Sequence, residues 1–234
     1  MIKFFRKIRQ RLLSENKFSK YLIYAIGEII LVVIGILIAL QVNNWNERRQ
    51  NQKKEILYLT RLTTNLGYDK RLYETIMIND SILINKLYDV EKNLSKFIKN
   101  VDNPIEDLDV LIAAYKFTSN RTTIDNLISS GKIELLRSNY LVEDIFLYYR
   151  TTEDIDRAVD QAIIKYNREK FSDLIIEFDK NNILDNNYRL RLANSINFKI
   201  NIIQTQLNLY SKQKSFAEKL INKINDEIEF IRKN

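Results

Sequence analysis

Hydrophobic and polar positions follow different rhythms along this chain, and each rhythm predicts a different kind of helix. From Tyr21 to Val42, YLIYAIGEIILVVIGILIALQV, apolar residues occupy every face and Glu28 is the only ionisable group. A run of ~20 such residues is what a helix needs to cross a hydrocarbon layer. Lys20, Tyr21 and Tyr24 mark its first edge and Asn43, Asn44 and Trp45 the second, so charges and amphipathic rings fall where headgroups would lie. The pattern predicts a transmembrane helix over 21–45. The apolar run exceeds that of a cleavable leader and ALQVNNW offers no small-x-small site, so an uncleaved signal anchor is expected.

Beyond Trp45 the apolar residues withdraw to one stripe. Leu59, Leu62, Leu66, Tyr73 and Ile76 keep 3-4 spacing, with Gly67 and Asp69 as soft interruptions. Leu83, Leu87, Val90, Leu94 and Phe97 continue the rhythm, so residues 46–99 predict a nearly continuous stalk, kinked or re-capped at Asn79-Asp80-Ser81. A loop is expected near 100–104, which holds Pro104, the single proline of the chain. Further helices are expected at about 105–117 and 123–130, the latter stopped by Gly131. A longer one over 139–178 is capped by Ser138 or Asn139 and buries Ile145, Tyr148, Ile155, Val159, Ala162, Tyr166 and Leu174 or Ile175. The clearest period lies in the last helix, 185–232: Ile196, Ile200, Ile203, Leu207, Tyr210, Ala217, Ile221, Ile224, Ile228 and Ile231, with Lys214 where one apolar residue is due. A helix of that length needs a long partner, either the stalk and the 139–178 helix or a second chain. The expected fold is all-α: one N-terminal transmembrane helix continuing into an elongated antiparallel helical bundle with coiled-coil-like packing, divided as residues 1–20, 21–45 and 46–234.

Charge adds an orientation. The net charge is +7, yet residues 56–234 carry 26 cationic and 26 acidic side chains, so the whole excess lies within the first 55 residues. That placement favours anionic lipid over nucleic acid as the counter-surface. Lys3, Arg6, Lys7, Arg9 and Arg11 interleave with Ile2, Phe5, Ile8 and Leu12 at helical spacing, as in a segment lying in the headgroup plane. The simpler reading of the same cations is a topogenic flank, which places the N-terminus in the cytoplasm and the body outside.

The chain has neither Cys nor His. Thiolate and histidine nucleophile pairs, the histidine general base and Cys/His zinc sites are therefore excluded. Asp154, Asp156, Asp160, Glu169 and Asp173 do not follow a calcium-loop pattern. No catalytic residue, cofactor site or metal site is expected, and no small ligand.

Within the apolar stretch, Glu28, Gly35 and Ala39 fall within about 40° of one another on a helix. Gly35 and Ala39 make a small-xxx-small pair that lets a second helix approach closely. An acid inside a bilayer is costly unless it reaches water, protein or a partner. Three fates are open to Glu28: snorkelling to pair with Lys17 or Lys20, a protonated hydrogen bond across a helix pair, or a proton or ion relay.

The block FFRKIRQRLLSENKFSKYLIYAIGEIILVVIGILIALQVNNWNE resembles the N-terminal block of a large family of uncharacterised bacterial single-pass membrane proteins, whose core has the form GEIxLVxxGILIALxxNxWNE. The likeness covers about the first 50 residues and continues loosely from Ile124 to Tyr149. It implies an inner-membrane anchor and a helical body, and carries no reaction. Function is expected to be non-enzymatic: a membrane-anchored interaction or scaffold protein that self-associates or joins another membrane protein. Two alternatives stand beside it, a sensory helical module with a cavity near Tyr148 and Tyr166, and a proton-coupled subunit using Glu28.

Overall fold

The computed structural model describes residues 18–94, 109–178 and 185–233. Among them every regular element is helical. The first, α1 (Phe18–Asn93), is unbroken for 76 residues. Its sequence contains no proline, so no N–H is removed from its hydrogen-bond ladder, and Thr60, Thr63, Thr64, Thr75 and Ser81 return their hydroxyls to carbonyls four residues back. No new helix is capped at Asn79-Asp80-Ser81: α1 runs through it, and the Ser81 hydroxyl donates to the Met77 carbonyl.

The chain forms two compact units that divide between Lys54 and Glu55. In the first, α1 carries the apolar stretch with none of it buried. In the second, the rest of α1 packs with α2 (Thr122–Ser129), a 3-10 turn (Lys132–Leu135), α3 (Asn139–Val159), α4 (Ser172–Ile176) and α5 (Asn186–Lys233). Two buried clusters fix the direction of the long helices. Tyr58, Leu59, Leu62 and Leu66 meet the end of α5 at Ala217, Ile224 and Ile231, while Tyr73, Leu83 and Leu87 meet its beginning at Tyr188, Ile196 and Ile203. Within this unit the two helices thus run antiparallel in an all-α bundle.

The buried face of α5 is wider than a two-position seam. Lys199, Gln206, Gln213 and Leu220 are buried along with the isoleucines, because α3 and residues 110–117 cover α5 on a second side. Gln213 takes the buried position, and Lys214, expected on the seam, turns aside to pair with Glu74 at 3.2 Å.

Two local expectations are corrected. The 139–178 helix contains two π-helical stretches, Asp160–Ile164 and Asn167–Phe171. Its buried residues there are Val159, Ile163, Asn167 and Phe171, and Ala162 is exposed. Four-residue steps would drift about 40° each on a straight α-helix, and the wider π turns keep them on one face. The helix expected over 105–117 is present, among the described residues, only at 109–112, and 113–121 is irregular. Lys199 of α5 ends it: its Nζ donates to the carbonyls of Val110 (3.4 Å), Leu111 (2.5 Å) and Ala113 (2.8 Å), the acceptors a continuing helix would need. At Gly131 the backbone is left-handed (φ 66°), which closes α2 as its spacing predicts.

Candidate functional site

Two places in the molecule set polar side chains among apolar ones, and they are built in opposite ways. The first is the α1 surface of the N-terminal unit. Glu28 is half-buried in a shallow groove shared with Ala25, Ile29, Val32 and Val33. Gly35 and Ala39 follow on the outer surface of the same helix, and a Cβ placed on Gly35 meets no heavy atom within 4 Å. Trp45 is 62% exposed, with the Arg49 guanidinium 5.7 Å from its ring centroid. Lys3, Arg6, Lys7, Arg9 and Arg11 lie outside the described residues.

The second place is the interior of the bundle, where residues 109–123 are gripped by buried polar side chains. Asp69 is fully buried. Its carboxylate accepts from Ser119 Oγ (2.5 Å), the Asn120 N–H (2.8 Å) and Tyr148 Oη (2.9 Å). Burial pushes its pKa up and these donors pull it back. One turn further into the segment, Thr123 donates to Asn65. Gln206 Nε2 bridges Asp80 Oδ2 (2.9 Å) and the Tyr115 carbonyl (3.0 Å), while Asn167 Nδ2 holds the Ile112 carbonyl (3.2 Å). Between these polar grips Phe117 stacks on Tyr73 with ring centroids 3.8 Å apart and leans on Tyr210. Each end of the segment thus finds partners for backbone groups that would otherwise be buried and unpaired.

Electrostatics follow from that burial. Asp80 is pushed up to about 7 by desolvation, against the pull of the Lys199 charge. Lys199 is pushed down to about 7 by desolvation, against the Asp80 charge. Burial first, and the Asp69 charge second, drive the Tyr148 phenol far above its usual value, so it acts only as a donor to Asp69. Tyr148 also packs edge-on against Tyr149 and Phe216 in the buried core; Tyr166 packs on Phe171 and Phe198. Asp69 has its acceptors engaged and Lys199 its donors, an arrangement suited to holding a segment in place. Among the described residues no three acidic side chains gather closely enough to hold a metal ion.

Reading the sequence by period alone passed over Asp69, Asp80, Lys199, Gln206 and Gln213. The signal for several of them was present: Leu62, Leu66, Asp69, Tyr73, Ile76, Asp80, Leu83 and Leu87 step by four and three, so both acids sit on the buried seam itself. A third charge, Lys199, stands on a similar step of four and three, Leu192, Ile196, Lys199 and Ile203.

No curated protein and no solved structure matches this chain. A protein family does. Its match begins at Glu28, runs through the clamp residues Asp69 and Asp80 and the whole gripped segment, and ends in α3 at residue 155. With residues 28–155 matched, more than half of its length, the chain belongs to the Family of unknown function (DUF6090).

Proposed function

We propose that this chain is a single-span protein of the bacterial inner membrane, anchored by residues 21–45 with its N-terminus in the cytoplasm, whose helical body is a non-enzymatic interaction module. One observation carries the reading. Between Leu22 and Val42, fourteen Leu, Ile and Val side chains are exposed. Kept in water at about 1 kcal/mol or more each, they would cost on the order of the whole stability of a domain. Hydrocarbon removes that cost, and the 18-residue window of mean hydropathy 2.7 is what a membrane span requires. The resemblance of the first 50 residues to bacterial single-pass proteins supports the compartment, and the basic excess before Tyr21 supports the orientation.

Assembly through the membrane helix is the proposed use of Glu28, Gly35 and Ala39. The open surface above Gly35 admits a second helix at close range, and Glu28 and Ala39 lie near it on the same helix. Asp69 and Lys199 support a holding role for the body, since their polar atoms are engaged with residues 110–120 and Tyr148 of the chain itself.

Full-length protein drawn from membranes in mild detergent tests this reading by its mass. An oligomer or a stable complex that Gly35→Leu disperses is expected. A lone monomer with no companion protein contradicts the assembly. Glu28→Gln separates packing from proton movement: assembly that survives together with unchanged behaviour assigns the residue to packing, and lost activity with intact assembly assigns it to a relay.

A further inference from the structure

Asp69 and Asp80 stand on one buried stripe of α1 and are supplied with donors very differently. Asp69 accepts three hydrogen bonds. Asp80, equally buried, accepts one among the described residues, from the neutral amide of Gln206. Lys199 reaches Asp80 as a charge and not as a donor, because its Nζ is committed to the carbonyls of Val110, Leu111 and Ala113. A carboxylate in a dry interior needs more than one amide donor, so burial there favours the neutral acid.

Gln206 has the complementary shortage. Its Nε2 donates to Asp80 Oδ2 at 2.9 Å and to the Tyr115 carbonyl at 3.0 Å. A carbonyl can only accept, so the contact with Tyr115 fixes which way round the amide sits. Oε1 of the same amide is buried without a hydrogen-bond donor, a costly state for an acceptor. A carboxylic acid and a primary amide have matching edges, each with one donor and one acceptor, once the acid holds its proton. The N–H half of that pairing is already in place between Gln206 and Asp80.

We propose that Asp80 and Gln206 form a proton-held latch, in which the acid O–H donates to Gln206 Oε1 and loss of that proton releases residues 113–117. As pH rises the Asp80 O–H bond breaks and the proton passes to water, leaving two lone-pair oxygens facing each other across the pair. The amide turns to relieve them, and the Tyr115 carbonyl loses its donor. Burial acts in the same sense and raises Asp80 to about 7. On its own helix the neighbours one turn away are Ile76, Met77, Leu83 and Ile84, none of which titrates. Lys199 and Tyr210 of α5 are coupled to it, while Lys116 of the gripped segment pairs with Asp160 at 3.1 Å and acts on Asp156 of α3. Lys199 alters stability mainly above pH 7, so the range below reports Asp80. Every residue of the latch belongs to the body, and the membrane reading is not needed for it.

Full-length protein in lipid nanodiscs tests the latch by infrared spectroscopy and by hydrogen exchange corrected for the intrinsic effect of pH. A carbonyl band of a protonated carboxyl is expected at pH 5, lost as pH rises and missing from Asp80→Asn. Over pH 5 to 7 the protection of the 113–117 amides should fall about tenfold or more. Asp80→Asn offers Gln206 both an N–H and a C=O, as the protonated acid does, and should hold that protection constant over the same range. An acid band that the substitution leaves intact, protection that does not change in the wild type, or the same fall in Asp80→Asn would each overturn the proposal. Should the variant not fold, the wild type decides: band and protection must be lost with one midpoint, and separate midpoints contradict the latch.

Discussion

Two stretches of one helix show how differently the same backbone is used. Between Leu22 and Val42, α1 exposes its apolar side chains; between Glu55 and Asn93 it gathers most of them on a stripe that α5 covers, leaving Leu57, Ile78 and Ile82 outside it. Polar residues differ as sharply. Glu28 sits on an apolar surface, whereas Asp69 and Asp80 sit inside the bundle with donors arranged around them. The first stretch leaves its apolar side chains uncovered by the rest of the described chain, and the second buries its own against that chain. Helix propensity does not distinguish them, and the direction of the apolar side chains does.

Truncation of one leucine in each stretch breaks the comparison most strongly if it is false. Leu66→Ala, at a position with no exposure, should cost about 2–5 kcal/mol in denaturant unfolding of the full-length protein, and Leu37→Ala, 58% exposed, should change that stability by no more than about 0.5 kcal/mol. Equal effects would mean that both stretches share one core.

Next in size is Asp69→Ala. It strands the Ser119 hydroxyl, the Asn120 N–H and the Tyr148 hydroxyl, and a loss of about 3 kcal/mol is expected, with residues 109–123 exchanging their amides faster than the long helices. Uniform acceleration of exchange across the bundle would contradict a clamp specific to that segment.

The Asp80 and Lys199 pair sharpens the point through pH. Folded Asp80 keeps its proton up to about 7, while an unfolded aspartate releases it near 3.8, so the folded state binds more protons across that window. Stability from this group is therefore full below about pH 4 and falls as pH rises towards 7. Lys199, lowered to about 7 from 10.5, acts in the other sense and restores stability as pH rises above 7. Asp80→Asn keeps an acceptor for Gln206 and should flatten the loss between pH 4 and 7 in urea midpoints measured across that range. An unaltered slope would place the titration elsewhere.

The smallest effect is expected at Gly131. No atom lies within 4 Å of a Cβ built there, so Gly131→Ala meets only the cost of a left-handed backbone, about 1 kcal/mol by thermal denaturation.

Much of this fold was legible in the sequence because its long helices are written in local spacing. The pairing of α1 with α5 follows from two apolar stripes of matching length, and Gly131 marked the end of α2. Residues 109–121 were not legible, because what stops their helix is a lysine 88 residues away in the chain and what seats them is an aspartate about 50 residues before. Nor was the shift from Ala162 to Ile163 on the buried face, since a π turn is a response to packing and carries no local signature. Of the candidate surface residues, Glu28, Gly35 and Ala39 do share one helix outside the bundle core, while the polar interior of the body was visible only as acids standing on an apolar seam.

Trp45, the only tryptophan, gives the most direct measurement of what surrounds the apolar stretch. Its fluorescence in full-length protein reconstituted into vesicles, read with bromine placed at successive depths along the lipid chains, should be strongest quenched by bromines nearest the headgroups and weakly by those at the bilayer centre. Emission at the wavelength typical of water, unaffected by bromine at any depth, would contradict a membrane around residues 21–45.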